Sequence, residues 1–434
     1  MLPIIEHPVA LLTFVTMCQF TLYQPQMRHL LQVMDALLVC PGKKTLSNLY
    51  RHLFQPADPK TAADFFRESP WQREEIGLSR KQTMFLQFLK MAQKLGLTTI
   101  VVGVDDSLGK KHKATRHLEA VAYHHDHNDS TRKKPTYANG FVYVGVHIHF
   151  GPFGFTFDTR LYLRECTVRA LNRQRSADQR LHYRSKYALA REMLLALAAL
   201  LPKGYQVYVT FDSWYASERL IKLCRRHGWH VICALKRNRK VGKQRLDHHD
   251  LALKHRRYQP ITLTAADCTR PAPVYYVRTV EGALENISGV VRAIISRRHK
   301  GDQSPKFFMC TDLQLSAQEA LRLYQRRWPV EVDNLYLKEG LGVGDFRLQS
   351  FEATDKWFAV ALLSLNYLQY QQAQHYVQTR EFCSLAECLR QHRLTHWQRL
   401  IRAIAHAAHR TDDVEAVIQQ FMPTTDWAIL AHAA

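Results

Sequence analysis

Along the 434-residue chain the spacing of apolar positions changes character three times. Up to about residue 95 it is helical. Residues 8–23 (PVALLTFVTMCQFTLY) form an apolar run interrupted by Thr13, Thr16 and Gln19. This predicts a buried helix rather than a membrane span, which needs about 20 predominantly apolar residues. Two short periodic segments, 46–54 and 61–66, flank a turn at Pro56-Ala57-Asp58-Pro59, the outline of a helix-turn-helix or of a small bundle. From Leu97 the pattern becomes β-branched. Residues 98–104 (TTIVVGV) predict a strand that ends at Asp105-Asp106-Ser107, and further strands are predicted at 117–123, 141–150 and 153–157. A helix follows at 187–201, closed by Pro202-Lys203-Gly204, and then a strand at 206–211 that runs into Asp212. Short strands at 231–235, 273–280, 290–295 and 306–310 alternate with basic, turn-rich stretches and predict a mainly β insertion. Helical spacing returns at Ser316, continues through Leu341, and covers 353–370 and the amphipathic remainder.

Charge sharpens this picture. Lys plus Arg number 60 against 38 Asp plus Glu, a formal net charge of +22 on a chain that is 46% hydrophobic and therefore globular. Self-repulsion of that size calls for a polyanionic partner. The nine cysteines (18, 40, 166, 224, 233, 268, 310, 383 and 388) are scattered without a CxxC pair. Neither a disulfide framework nor a zinc ribbon is supported, and a reducing compartment is expected.

Three carboxylates stand out by position: Asp106 and Asp212 at strand ends, and Glu331 on a late helix. If the strands are neighbours and the helix packs on them, the three converge at one sheet edge, where hard oxygen ligands suit divalent ions. On the late helix Tyr324, Arg327, Glu331 and Lys338 have the spacing Y-x2-R-x3-E-x6-K, which aligns them along one face. Pro329 predicts a kink or a new helix start at Trp328-Pro329. His124, His125 and His127, with Asp126 and Asp129, form a cluster, and His147 and His149 share a strand face. A zinc hydrolase would use such residues, but there is no HExxH motif. The acid-free run Lys236-Arg237-Asn238-Arg239-Lys240, continued by Lys243 and Arg245, and the arginine-rich stretch 164–186 are candidate phosphate tracks.

The segment from Tyr324 through Glu331 to Lys338-Glu-Gly-Leu341-Gly342 resembles the Y-R-E-K signature of DDE transposases in the insertion-sequence-four superfamily. Val104-Asp105-Asp106-Ser107 with Lys110 is similar to that family's first acidic block, with Ser107 in place of the usual Thr, and Phe211-Asp212-Ser213-Trp214-Tyr215 is similar to the second. Segments 118–126, Asn139-Gly140 and 160–165 follow in the family's order, so the resemblance spans most of residues 45–370. It implies an α/β fold: a ribonuclease-H-like catalytic core with a mainly β insertion, flanked by N- and C-terminal helical regions. The corresponding boundaries are 1–95 (helical, a candidate DNA-binding region), 96–220 and 316–372 (catalytic), 221–315 (insertion) and 373–434 (C-terminal helices).

The same resemblance implies that Asp106, Asp212 and Glu331 ligate two Mg2+ ions, for which Mn2+ can substitute. Tyr324, Arg327, Lys338 and Lys110 would contact DNA, as would Arg347, Trp328 and the basic run Lys236, Arg237, Arg239 and Lys240. Asp106 is preferred to Asp105 because the family's residue directly precedes the Thr or Ser. Trp328 and Trp214 are candidates to stack a flipped base during hairpin formation. The implied function is cut-and-paste transposition of an insertion sequence. Its partners are double-stranded DNA, as terminal inverted repeats and target, and a second copy of the chain on paired ends. No membrane association is implied, and the location is the bacterial cytoplasm at the nucleoid. Two alternatives are a transposase-derived DNA-binding protein that no longer cuts and a stand-alone nuclease of the same fold.

Overall fold

A computed structural model describes residues 4–54, 59–127, 129–131, 134–252, 258–263, 272–287, 289–411 and 413–421. Residues 56–58 of the turn predicted after Phe54, and Cys268, lie outside these. The chain divides into two compact units, one of residues 84–335 and one of residues 1–83 together with 336–434.

The unit of residues 84–335 is built on one sheet. Its strands are β1 (Thr99–Lys110), β2 (Ala122–His125), β3 (Tyr137–Phe150), β4 (Phe153–Tyr162), β5 (Gln206–Phe211) and β6 (His230–Leu235). After the small ribbon β7 (Lys240–Val241) and β8 (Gln244–Arg245) come β9 (Gln259–Thr262), β10 (Val274–Ala283), β11 (Val290–Arg297) and β12 (Lys306–Cys310). The order across the sheet is β2-β3-β1-β5-β6-β12-β11-β10-β9, with β4 also on β3. β1 runs antiparallel to β3 and parallel to β5, and β5 runs parallel to β6. Three antiparallel strands continued by two parallel ones make the expected ribonuclease-H-like core. The Ile100–Val104 stretch is buried on both faces, which explains a continuous β-branched run in place of an alternating one.

Two differences from the sequence reading matter. β1 does not stop before the acids: the parallel pairing with β5 ends at Val104↔Phe211, but the antiparallel pairing with β3 continues through Asp105↔Gly145 and Asp106↔Val144 to Lys110↔Gly140. Apart from the β7–β8 ribbon, the strands between residues 230 and 310 belong to the core sheet, because β12 pairs with β6 and carries β11, β10 and β9 onward.

The helices of the first-described unit are α6 (Glu165–Asn172), α7 (Lys186–Ala198), α8 (Glu218–Arg226), α9 (Leu246–Ala252), α10 (Ala317–Gln325) and α11 (Trp328–Leu335). α7 packs on β3 and β4, α11 on β1 and β3, and α10 on β6. A capping box of Ser316 and Glu319 starts α10. Gly103 admits α11 to close range: a Cβ there would stand 2.5 Å from Cγ2 of Val330.

The other unit is helical, with α1 (Val9–Met17), α2 (Gln24–Val39), α3 (Leu46–Tyr50), α4 (Pro59–Arg67), α12 (Phe351–Thr379), α13 (Leu385–Ala408) and α14 (Val414–Phe421). A further helix, α5 (Arg73–Lys94), contains the boundary at residues 83/84. α12 is capped by Ser350, and its apolar residues are buried nearly all round among α2, α4 and α13. Among the described residues no helix is long and apolar enough to cross a membrane, and the described cysteines are free.

Candidate active site

Asp105 and Asp106 are consecutive in a strand, so their side chains leave opposite faces of β1. The α11 face receives Asp105. Arg327, between α10 and α11, places one guanidinium nitrogen 2.5 Å from Asp105 Oδ2 and the other against Glu331 Oε1. Asp105 Oδ1 also accepts the backbone N–H of Asp106 at 2.9 Å. Asp106 belongs to a different set: its Oδ2 accepts from Lys186 Nζ at the start of α7 at 2.6 Å, and its Oδ1 accepts the Tyr215 hydroxyl at 3.0 Å. Asp212 closes the turn after β5, where its Oδ1 takes the backbone N–H groups of Trp214 at 2.8 Å and Tyr215 at 3.2 Å.

The electrostatics tie these groups together. Burial pushes the Asp105 carboxyl up to about 6 against the pull of Arg327, and the negative charges of Asp212 and Asp106 add to the rise. The Arg327 guanidinium, although burial opposes its charge, is held above its ordinary value by Asp105, Tyr324 and Glu331. Tyr215 is raised well above the usual phenol range by burial and then by Asp106. The donor set is carboxylate oxygen throughout, hard chemistry that suits Mg2+ or Mn2+. On the chemistry of the donor set the residues fit such an ion. Among the described residues these acids are not drawn as tightly together as the Asp35, His392 and His396 group, whose ligand atoms lie within 4.8 Å of one another.

The remaining sequence-derived residues are placed as follows. The predicted single helical stripe does not form: α10 ends at Gln325, α11 begins at Trp328 with Pro329 in its first turn, and Lys338 lies in a π-helical turn, Tyr336–Gly340, in the other unit. Pro329 has no N–H to continue α10, so the chain breaks before it. Tyr324 packs edge-on against Phe308 at 4.9 Å beside the apolar cluster of Tyr208, Ile232 and Ile294, and burial pushes its phenol up to about 12. Trp328 is 62% exposed. Trp214 is partly exposed, stacks on Tyr187 at 6.3 Å, and has Lys236 Nζ 5.8 Å from its ring centre. Lys236 and Arg237 are exposed in the turn after β6 and Lys240 is exposed at the start of β7, with Arg239 half-buried. Lys110 ends β1 paired with Asp126 at 2.6 Å and Asp129 at 2.7 Å. Arg347 is exposed after the short turn Val343–Asp345 in the other unit.

The histidine cluster is not drawn up as a metal centre. His124 is buried against Tyr162, His125 lies 3.0 Å from Ser130 Oγ, and His127 packs near Trp214. His147 and His149 are neighbours at 5.7 Å, and His147 Nδ1 lies 2.5 Å from Asp333 Oδ2, which also accepts from Thr156 at 2.6 Å. That pair of bonds anchors α11 to β3 and β4. Lys186, Tyr215 and Asp333 were not singled out from sequence. Tyr215 carries a signal, three residues after Asp212 in the Asp-Ser-Trp-Tyr block, Lys186 has only its place at the end of the basic stretch 164–186, and Asp333 has none.

A family model described as DDE superfamily endonuclease matches residues 18–280, a span that holds Asp105, Asp106 and Asp212 and ends before Glu331. A solved structure, the cryo-EM structure of a piggyBac transposase synaptic complex with hairpin DNA, aligns over 93% of this chain and 77% of that one, with 10% identity and a TM-score of 0.45. No curated protein matches the sequence.

Proposed function

Because the chain belongs to the DDE superfamily endonucleases, we propose that it is a transposase that excises and reinserts an insertion sequence by metal-dependent DNA strand cleavage and strand transfer. The observation that supports this reading is the Arg327 guanidinium, which holds Asp105 of β1 and Glu331 of α11 at once, two carboxylates from distant parts of the chain, with Asp105 also feeling the charge of Asp212. Asp212, Glu331 and one member of the Asp105-Asp106 pair would hold two Mg2+ or Mn2+ ions. When bound, such ions activate water or a 3′ hydroxyl and stabilise the departing oxygen.

In-line phosphoryl transfer leaves little covalent work for side chains, so positioning and charge carry the catalysis. Arg327 sets the Glu331 carboxylate relative to β1. Lys186 and Tyr215 fix both oxygens of Asp106. Lys236, Arg237, Arg239 and Lys240, with Lys110, Lys338 and Arg347, supply phosphate contacts that position DNA without reading its sequence. Trp214, on Tyr187 and under Lys236, and the exposed Trp328 offer ring faces to an unstacked base. The DNA ends are paired by a homodimer, the membership is that of the insertion-sequence-four superfamily, and the place of action is the bacterial cytoplasm at the nucleoid.

The test is cleavage and joining of a labelled duplex carrying the element's own terminal sequence, with Mg2+ or EDTA. Wild type is compared with Glu331→Gln, Asp105→Asn and Asp106→Asn. Metal-dependent cutting and joining abolished by Glu331→Gln, with end binding retained, is the expected result. The substitution within the acidic pair that abolishes cutting identifies the first metal-holding carboxylate. End binding without cutting by wild type overturns the reading in favour of a DNA-binding descendant, and cutting without joining favours a nuclease.

A further inference from the structure

A second cluster of titratable groups lies wholly within the unit of residues 1–83 and 336–434. Asp35 on α2 is fully buried, with three imidazoles around its carboxylate. His392 Nε2 and His396 Nε2 both stand 2.8 Å from Oδ1, and His7 Nδ1 stands 2.7 Å from Oδ2. These histidines are its ion-pair partners among the described residues, and no Lys or Arg joins them. His392 and His396 are themselves buried, and as i and i+4 on α13 they project from one face of the helix. The ligand atoms of Asp35, His392 and His396 lie within 4.8 Å of one another. On the far side of its ring, His392 Nδ1 meets the Tyr367 hydroxyl at 3.2 Å.

We propose that Asp35 Oδ1, His392 Nε2 and His396 Nε2 form a structural site for a transition-metal dication of the zinc type, with His7 holding the second carboxylate oxygen. Nothing in the catalytic reading assigns these residues, and the site stands independently of it. The Asp35 carboxylate is fully buried and faces three ring nitrogens with no Lys or Arg beside it among the described residues, so a dication held between the carboxylate and two of the rings would offset its charge within the interior. Two imidazoles and a carboxylate are the nitrogen and oxygen donors that zinc takes, and a His-x3-His pair on one helix is a recurrent part of such sites.

In a tetrahedron with metal–ligand bonds of about 2.0–2.1 Å, ligand atoms lie about 3.3 Å apart. The 2.8 Å spacings therefore widen by about half an ångström, within the reach of small side-chain rotations. The Tyr367 contact supplies the outer hydrogen bond that fixes the tautomer of a ligating histidine.

Metal and hydrogen-bond arrangements demand opposite tautomers of His392. A metal on Nε2 leaves the proton on Nδ1, donated to the Tyr367 oxygen. A bare hydrogen-bonded cluster puts the proton of a neutral ring on Nε2, donated to Asp35, and makes Nδ1 the acceptor.

The experiment uses the full chain, stripped with chelator and then titrated separately with Co2+ and Zn2+. One equivalent of Co2+ giving the visible bands of a tetrahedral nitrogen and oxygen site, displaced by one equivalent of Zn2+, is expected. Glu331→Gln should retain both results, and His396→Gln should lose them. If His396→Gln fails to fold, nitrogen-15 spectra of the wild type decide, because Zn2+ moves the His392 proton to Nδ1. The absence of tetrahedral bands in folded wild type, bands that survive His396→Gln, or a His392 proton that stays on Nε2 in saturating Zn2+ overturns the proposal.

Discussion

Gly103 is the point at which β1 lets α11 descend onto the sheet, and Gly103→Ala tests what that approach is worth. The added Cβ would stand 2.5 Å from Val330 Cγ2, with the Arg327 backbone 3.9 Å away. Carbon atoms settle at about 3.5–4.0 Å, so Val330, and with it α11, must give by about 1 Å. Overpacking of this kind costs about 1–3 kcal/mol. The shift falls on the residue next to Glu331, and a misplacement of about 1 Å is worth roughly a hundredfold in rate. Val330→Ala removes the atom that is struck, at the cost of a small cavity at a position 3% exposed. The expected outcome is a lower urea midpoint and roughly hundredfold slower duplex cleavage for Gly103→Ala. In the double variant the two stability losses should fall short of their sum by about 1 kcal/mol, the size of coupling seen between touching side chains. Urea unfolding followed by circular dichroism and single-turnover cleavage on gels measure both. A Gly103→Ala protein with unchanged midpoint and rate, or stability losses that add without coupling, would refute the reasoning.

Three further predictions rest on separate features. Asp333→Ala removes the acceptor shared by His147 and Thr156 and should lower unfolding free energy by about 1–3 kcal/mol; an unchanged urea midpoint would show that the anchor of α11 lies elsewhere. The His124 imidazole is pushed down to about 4, first by burial and then by the nearby Arg164 and Lys186. Because the unfolded chain takes up this proton near 6.5 and the folded chain does not, stability should be full above pH 6.5 and fall by up to about 3 kcal/mol as the pH approaches 4. His124→Phe should flatten that limb of the stability profile, and a profile identical to wild type would exclude the assignment. Replacing Lys236, Arg237, Arg239 and Lys240 together by Ala should reduce the slope of log binding constant against log salt by about 3–4 if all four meet phosphates; an unaltered slope in a DNA-binding titration would remove them from the interface.

Legibility in the sequence followed how local each determinant is. β5 and β12 were read at the bounds they adopt, because apolar runs between turn signals specify them without help from elsewhere. The predicted strand at 117–123 shrinks to Ala122–His125, and His117 has a positive φ of 63° that a strand does not accept. β1 outruns its β-branched core because Leu108 and Gly109 are held by Val142 and Phe141 of the antiparallel β3, a partnership with no local trace. The continuation of one sheet through β12 to β9 is likewise a matter of pairing rather than pattern. At the site, the Arg327–Glu331 spacing and the break at Pro329 were both legible. Strand period alone put Asp105 and Asp106 on opposite faces. Which face receives the late helix depends on the clearance at Gly103, and no periodicity records that.

The helical unit draws its parts from both ends of the chain: α2 is made early, whereas α12 and α13, on which it packs, are made last. On a ribosome adding about 5–20 residues per second, Asp35 emerges many seconds before His392 and His396. During that interval the sheet unit, whose residues are contiguous, is free to form first. Until then the apolar residues of α2, among them Val33, Leu37 and Leu38, which are fully buried in the finished fold, lack the late helices α12 and α13 on which α2 packs.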